Sequence, residues 1–151
     1  HMASAQGIAA VEHIKGEACA LNLALVPSCV YTDPEIACVG LGADEAKAAG
    51  QDVVVGKYVM TGNGKSIIEQ EKRGFIKLVF SAEEQVLLGA QLMCARATDM
   101  IGELTTAIAN GLTAKQLAST IRAHPTFGEG IGEAVEDVLN GCSLHTMPKR
   151  R

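Results

Sequence analysis

The spacing of hydrophobic residues changes twice along the chain. Over residues 7–25 apolar side chains recur at helical spacing, and they predict a first helix that Pro27 ends. From 28 to 94 the apolar runs are short, rich in β-branched residues and divided by turn signals, which is typical of strands. From Thr98 the helical spacing returns and continues to Asn140. The pattern therefore predicts a helix, then a group of strands, then a group of helices.

Five runs within the middle region predict strands, over 28–33, 36–41, 53–61, 75–80 and 86–94. The polar turn at 81–84 joins the last two runs and predicts a β-hairpin. In the fourth run Ile76, Leu78 and Phe80 share one face, because side chains alternate along a strand. That face should contact a core, and the opposite face should be more exposed.

The helices fall on both sides of this region and once within it. A short alanine-rich helix is predicted over 43–49. Three more are predicted at the end of the chain: one from Thr98 to Asn110-Gly111, one behind the capping box Thr113-x-x-Gln116, and one ending at Asn140-Gly141. Clustered strands and clustered helices indicate an α+β fold with a mostly antiparallel sheet flanked by helices.

Composition narrows the classes of partner. The chain has 151 residues, 48% hydrophobic and 20% charged, which is typical of one globular domain. A net charge of -4 argues against binding nucleic acid or an anionic membrane surface. Lys149-Arg150-Arg151 is the one basic cluster, and no apolar run reaches membrane-spanning length. We expect neither a nucleic-acid nor a membrane partner.

The cysteines indicate a reducing compartment and no metal site. There are five, widely spaced and without a Cys-x-x-Cys motif, which predicts free thiols in a cytoplasmic protein: Cys19, Cys29, Cys38, Cys94 and Cys142. The histidines show no metal-ligand spacing with one another or with a cysteine.

The segment His124-Pro125-Thr126-x-x-Glu129 is the strongest candidate for chemistry. Pro125 restricts His124 to extended or turn geometry, and an X-Pro bond in such a turn can be cis. A Glu129 carboxylate beside the imidazole would fix its tautomer and stabilise its protonated form, which suits a general base. The spacing also predicts a simple capping box with Thr126 as N-cap, and Glu129 can serve both roles. Without a nucleophile or cofactor loop, the pair resembles half of an active site.

Two glycine-containing segments do not form nucleotide-binding motifs. Gly128-x-Gly130-x-Gly132 follows no strand, so it predicts close helix packing and not a dinucleotide fingerprint. The segment at 64–66 (GKS) ends like a phosphate-binding loop, but Val59 stands where that motif needs glycine. We expect a loop with a solvated lysine there.

Longer stretches around these residues resemble one known family. His124-Pro125-Thr126-x-x-Glu129 resembles the C-terminal signature of the flavin-dependent pyridine nucleotide–disulfide oxidoreductases. Residues 31–40 (YTDPEIACVG) resemble the opening of that family's interface domain, and 74–91 resemble its hairpin. Residues 107–134 look most like the dihydrolipoyl dehydrogenases of the family. The resemblance covers roughly 27–141, and 7–25 resemble the last helix of the family's FAD domain.

The resemblance implies a division of the chain and a role for the pair. Residues 1–26 would be a residual linker and helix from a preceding FAD domain, with a start that resembles a tag, and 27–151 the dimerisation domain. His124 would be the acid–base residue for a cysteine pair in the partner subunit, hydrogen-bonded by Glu129. His124 and Pro125 would lie against that subunit's flavin. The parent enzyme would use FAD and NAD, whereas this chain, which has no Cys-x-x-x-x-Cys pair, should bind neither and be inactive alone.

The resemblance also implies partners, and other interpretations stay open. We expect a homodimer, the FAD and NAD domains of the parent, and the subunit-binding domain of a 2-oxoacid dehydrogenase acyltransferase as partners. The chain could instead be a free-standing dimerisation or binding module. It could also be the interface domain of a glutathione or mercuric reductase. The leading helix favours a fragment over a free-standing module.

Overall fold

One sheet of five strands lies at the centre of the molecule: β1 (Ser28–Val30), β2 (Ile36–Gly40), β3 (Val53–Val59), β4 (Phe75–Ser81) and β5 (Leu87–Met93). Their order across the sheet is β1-β2-β5-β4-β3, and every neighbouring pair is antiparallel. The computed structural model describes residues 1–19, 21–71 and 73–143, so His145 and the basic tail lie outside the described residues. The predicted antiparallel sheet and the β4–β5 hairpin are confirmed.

Six α-helices occur in the described part of the chain: α1 (Met2–Ile14), α2 (Ala43–Ala48), α3 (Gly64–Ile68), α4 (Ala97–Ala109), α5 (Ala114–Ala118) and α6 (Glu129–Asn140). The Thr113–Gln116 capping box opens α5 as predicted, and Gly141 ends α6 in the left-handed conformation. None of the described helices has the length and apolarity needed to cross a membrane. The predicted α+β class is confirmed.

The first helix differs most from its prediction. It ends at Ile14 and does not continue to residue 25. Gly16 adopts a φ of +75°, a left-handed conformation that glycine reaches without a steric penalty and that ends a helix. The predicted extension is therefore wrong over 15–19 and 21–25, because one glycine outweighs the apolar spacing that continues beyond it.

The segment between β3 and β4 also departs from its prediction. The strand ends at Val59 and not at residue 61, and a single turn of 3-10 helix, Met60–Gly62, follows. The expected loop at 64–66 is the first turn of α3, because the Asn63 side chain accepts a hydrogen bond from the Ser66 backbone N–H at 2.9 Å. Lys65 is ion-paired with Glu69 at 2.6 Å and is only partly exposed.

The core lies between the sheet and the two long helices α4 and α6. Ile76, Leu78 and Phe80 of β4 are fully buried, as predicted, while Lys77 on the other face is half-buried. Helix α4 packs on β2 and β5, and α6 packs on β3 and β4. Both helices therefore cover the same core from neighbouring positions.

Helix α6 approaches β3 closely enough to reach the edge of the sheet. A Cβ atom at Gly130 would come within 2.6 Å of the Met60 sulfur, so the predicted close packing holds at this glycine. Asp137, further along α6, accepts a hydrogen bond from the Lys57 backbone N–H at 3.0 Å. The even-numbered residues of β3 form the backbone hydrogen bonds with β4. The N–H of Lys57 therefore points away from β4, at the outer edge of the sheet. The helix thus covers a backbone donor at the sheet edge.

Candidate functional site

His124 and Glu129 form a hydrogen-bonded pair on the connection between α5 and α6. The His124 Nδ1 atom lies 2.8 Å from Oε1 of Glu129. An ionised carboxylate only accepts hydrogen bonds, so Nδ1 carries the proton and Nε2 is left as a proton acceptor. The His124 side chain is 74% exposed, whereas that of Glu129 is 27% exposed. The geometry therefore leaves an imidazole of fixed tautomer exposed at the surface.

The turn that carries the imidazole is held mainly by Thr126. The His124–Pro125 peptide bond is cis. The Thr126 hydroxyl donates to the Ala123 carbonyl at 2.8 Å, and its backbone N–H donates to Oε2 of Glu129 at 2.8 Å. Glu129 therefore binds the turn with one carboxylate oxygen and the imidazole with the other.

The predicted capping box at this position is half wrong. Helix α6 begins at Glu129 with Gly128 as its N-cap, so Thr126 is not the N-cap residue. The carboxylate of Glu129 does accept the Thr126 N–H, as a capping box requires.

Two polar side chains from outside the motif fix the turn in place. Asn63 donates from Nδ2 to the Thr126 carbonyl at 3.0 Å. Arg122 pairs with Glu103 of α4 at 2.6 Å and also donates to the Leu117 carbonyl. One anchor ties the turn to the start of α3, and the other ties it to α4 and α5.

Sequence reasoning identifies neither anchor. The Asn63-Gly64-Lys65-Ser66 run contains a signal for a helix N-cap, since asparagine is a preferred cap residue. Its second contact, with a carbonyl 63 positions later, has no local signal. Arg122 stands next to the motif, but its partner Glu103 lies on a different helix.

Buried titratable groups lie beneath the site and elsewhere in the core. Tyr58 is almost fully buried, and burial, followed by the charges of Glu133 and Glu129, raises its pKa from 10.0 to about 12. Burial likewise raises the pKa of the Cys94 thiol to about 12. All five cysteines are free thiols, as predicted. Within the described residues no group of three or more potential metal ligands occurs.

Apolar side chains are exposed on the segments that flank the imidazole. Ile121, three residues before His124, is 98% exposed. Ile67 and Ile68 of α3 are each 63% exposed, and α3 begins beside the imidazole, since a Cβ atom at Gly64 would lie 3.7 Å from His124 Cε1. Exposed apolar side chains therefore occur in both segments next to the exposed histidine.

Comparison with known proteins identifies a matching family model and similar relatives. A family model described as "Pyridine nucleotide-disulphide oxidoreductase, dimerisation domain" matches residues 26–135. The chain is 42% identical over 149 residues to a dihydrolipoyl dehydrogenase of Geobacillus stearothermophilus, covering 99% of this chain and 32% of that protein. It is 40% identical over 147 residues to one of Haloferax volcanii, covering 97% of this chain and 31% of that protein.

A solved structure has a similar fold. LpdA from Mycobacterium tuberculosis matches with a TM-score of 0.79 and 26% identity, covering 87% of this chain and 29% of that chain. The chain spans about a third of the length of the curated relatives that it matches. About two thirds of each relative's sequence therefore has no counterpart in this chain.

Proposed function

Because the chain belongs to the pyridine nucleotide-disulphide oxidoreductase dimerisation-domain family, we propose that it is the C-terminal dimerisation domain of an NAD-linked dihydrolipoyl dehydrogenase. Residues 27–151 would form that domain, and 1–26 would belong to the preceding FAD domain. Two relatives at 40% and 42% identity, both named dihydrolipoyl dehydrogenase, support this assignment. The chain alone would be inactive, because it contains no Cys-x-x-x-x-Cys pair.

The proposed chemical role rests on the His124–Glu129 pair. A dithiol substrate must lose a proton before its thiolate can attack a disulfide, and an imidazole with a free Nε2 can accept that proton. In the neutral ring, the 2.8 Å bond from Nδ1 to Glu129 leaves Nε2 free to accept that proton, and the carboxylate then stabilises the imidazolium that forms. The 74% exposure of the ring supports a reaction partner from the other subunit, since the imidazole is accessible from outside this chain.

In the proposed arrangement, the flavin belongs to the partner subunit. His124 and Pro125 are both exposed on the turn, so they offer a surface that a partner subunit's flavin could contact. FAD would supply the electron transfer from the reduced disulfide to NAD. The residues of this chain would supply proton transfer at Nε2 of His124 and the orientation of that ring by Glu129.

The exposed apolar side chains support a homodimer. Ile67, Ile68 and Ile121 flank the His124 turn, so a second copy that covers them would place each turn against the other subunit. We expect light scattering at tens of micromolar protein to give twice the mass of the chain. A clean monomer at that concentration would contradict the dimer.

In the parent complex, an acyltransferase subunit-binding domain would be a further partner, and a pull-down without retention would count against it.

The acid–base role is tested in a complete parent chain that carries this domain. His124→Gln should lower lipoamide turnover by about 10²- to 10⁴-fold, the usual contribution of a general acid–base group. The matched control is His13→Gln, which changes an exposed histidine on α1. If His124→Gln retains the turnover of the control, the proposed role is wrong.

A further inference from the structure

Asn63 occupies a buried position between the 3-10 turn that follows β3 and the start of α3. It is only 4% exposed. Its Oδ1 atom accepts hydrogen bonds from the Ser66 backbone N–H at 2.9 Å and from the Ser66 hydroxyl at 3.1 Å. These bonds cap α3 and fix the orientation of the amide group, because they define which end carries oxygen.

The nitrogen end of the same amide points to the turn that carries His124. Nδ2 donates to the Thr126 carbonyl at 3.0 Å. The N–H of Thr126 donates to Oε2 of Glu129, and Oε1 of Glu129 accepts from His124, both at 2.8 Å. Hydrogen bonds therefore connect the cap of α3 to the imidazole by way of the Thr126 backbone and the Glu129 carboxylate.

We propose that Asn63 is a positioning residue that fixes the His124 ring through Thr126 and Glu129. The inference rests on the proposed acid–base role of His124. It means that a residue 61 positions earlier in the chain fixes the orientation of the His124 ring. Without the Nδ2 donor, the Thr126 carbonyl loses its bond to the α3 segment, and the Thr126 N–H moves away from the Glu129 carboxylate. The imidazole then samples both tautomers, since its orienting carboxylate loses the bond from the Thr126 N–H.

Asparagine suits this position because the two ends of its side chain have different functions. Asn63→Asp keeps an oxygen that can cap α3 but replaces the donor with a second acceptor, which repels the Thr126 carbonyl. Asn63→Thr also keeps a capping oxygen, is uncharged, and is too short to reach the turn. Comparison of the two variants separates loss of the donor from the added charge. Ser66→Ala is the matched control, because it removes one bond to Oδ1 and leaves Nδ2 unchanged.

The experiment is nitrogen NMR of the imidazoles in this 151-residue chain labelled at histidine, with His124→Gln used to assign the His124 signals. In the unmodified chain and in Ser66→Ala, the Nδ1 and Nε2 signals of His124 should stay far apart, as a single tautomer requires. In Asn63→Asp and Asn63→Thr the two signals should move toward each other. Unchanged His124 signals in both folded Asn63 variants would overturn the inference.

A second measurement does not depend on the variants folding. In the unmodified chain, one Nδ2 proton of Asn63 should exchange slowly with solvent because it is buried in the bond to Thr126. Fast exchange of both protons would overturn the inference.

Turnover in a complete parent chain then separates this inference from the proposed function. Asn63→Thr should lower kcat more than it raises KM and should shift the pH profile. If the NMR result holds but His124→Gln keeps full turnover, the positioning is correct and the proposed function is wrong. If His124→Gln is inactive but Asn63→Thr leaves both the pH profile and the NMR signals unchanged, the proposed function stands and the positioning role fails.

Discussion

Gly56 of β3 lies against the backbone of Ala134 in α6, so closely that a Cβ atom at Gly56 would come within 2.0 Å of the Ala134 carbonyl oxygen. The same atom would lie 2.6 Å from Cγ2 of Val138. Because one of these neighbours is backbone, the strand and the helix cannot both stay in place around a larger residue. The approach of α6 to the sheet depends on the absence of a side chain at this position.

We therefore expect Gly56→Ala to lower the free energy of unfolding by about 1–3 kcal/mol, the usual cost of overpacking a core. Gly102→Ala is the control, since a Cβ atom at Gly102 would meet nothing within 4 Å in the middle of α4. It should raise the free energy of unfolding by about 0.5–1 kcal/mol through helix propensity. Urea denaturation of both variants measures the difference, and equal stability would contradict the close contact.

The bond from Asp137 to the Lys57 N–H makes a second prediction. Asp137→Leu leaves that backbone donor without its acceptor and should cost about 1–3 kcal/mol, whereas Asp137→Asn keeps an acceptor oxygen and should cost less. Hydrogen exchange of the Lys57 amide checks the mechanism, because it should accelerate in the leucine variant before the neighbouring ladder amides do. Protection that survives in that variant would show that another group covers the amide.

Stability in acid should depend on Glu35. The hydroxyl of Thr98 at 2.7 Å and its N–H at 2.9 Å donate to the Glu35 carboxylate and hold its pKa below the ordinary 4.5. The folded-state pKa lies below that of the unfolded chain, so this stabilisation is complete above pH 4.5 and is lost as the pH falls through the folded-state pKa.

Thermal unfolding from pH 6 down to pH 3 tests this dependence. Glu35→Gln should show a shallower fall in Tm over that range, and Thr98→Val should lie between it and the unmodified chain because it removes the larger cause. Identical slopes for all three chains would exclude a contribution from Glu35.

Alkaline titration should identify Tyr58. In Tyr31→Phe only Tyr58 remains, and its tyrosinate absorbance should appear near pH 12, because burial is the main cause of its raised pKa. The pKa is higher in the folded state, so the neutral phenol stabilises the fold below pH 10, and this stabilisation is lost as the pH rises from 10 to about 12. Tyrosinate absorbance already complete near pH 10 in the folded variant would contradict the burial.

Local signals predict most of the fold. The position of α4 (Ala97–Ala109) and the capping box of α5 follow from short-range patterns, as does the hairpin of β4 and β5. The failures come from competing local preferences: Gly16 ends α1 early, and Asn63 begins a helix where glycines suggested a loop. Sequence spacing does not show which of two signals prevails when they overlap.

The candidate site is only partly predictable for a different reason. The bond between His124 and Glu129 joins residues five positions apart, so local geometry suffices to predict it. The contacts of Asn63 with Thr126 and of Arg122 with Glu103 arise from the packing of separate elements. They depend on how α3 and α4 pack, which no short motif encodes.

The bond between Asp137 and the edge of β3 affects how molecules of this chain meet. An exposed edge strand of seven residues is a template onto which a strand of another molecule can add, and repeated addition leads to aggregation. The Asp137 side chain of α6 accepts a hydrogen bond from the Lys57 N–H in the middle of that edge. The opposite edge strand, β1, has only three residues. Addition of a strand from another molecule is therefore disfavoured at both edges. Ordered association between molecules should instead use surfaces formed by side chains.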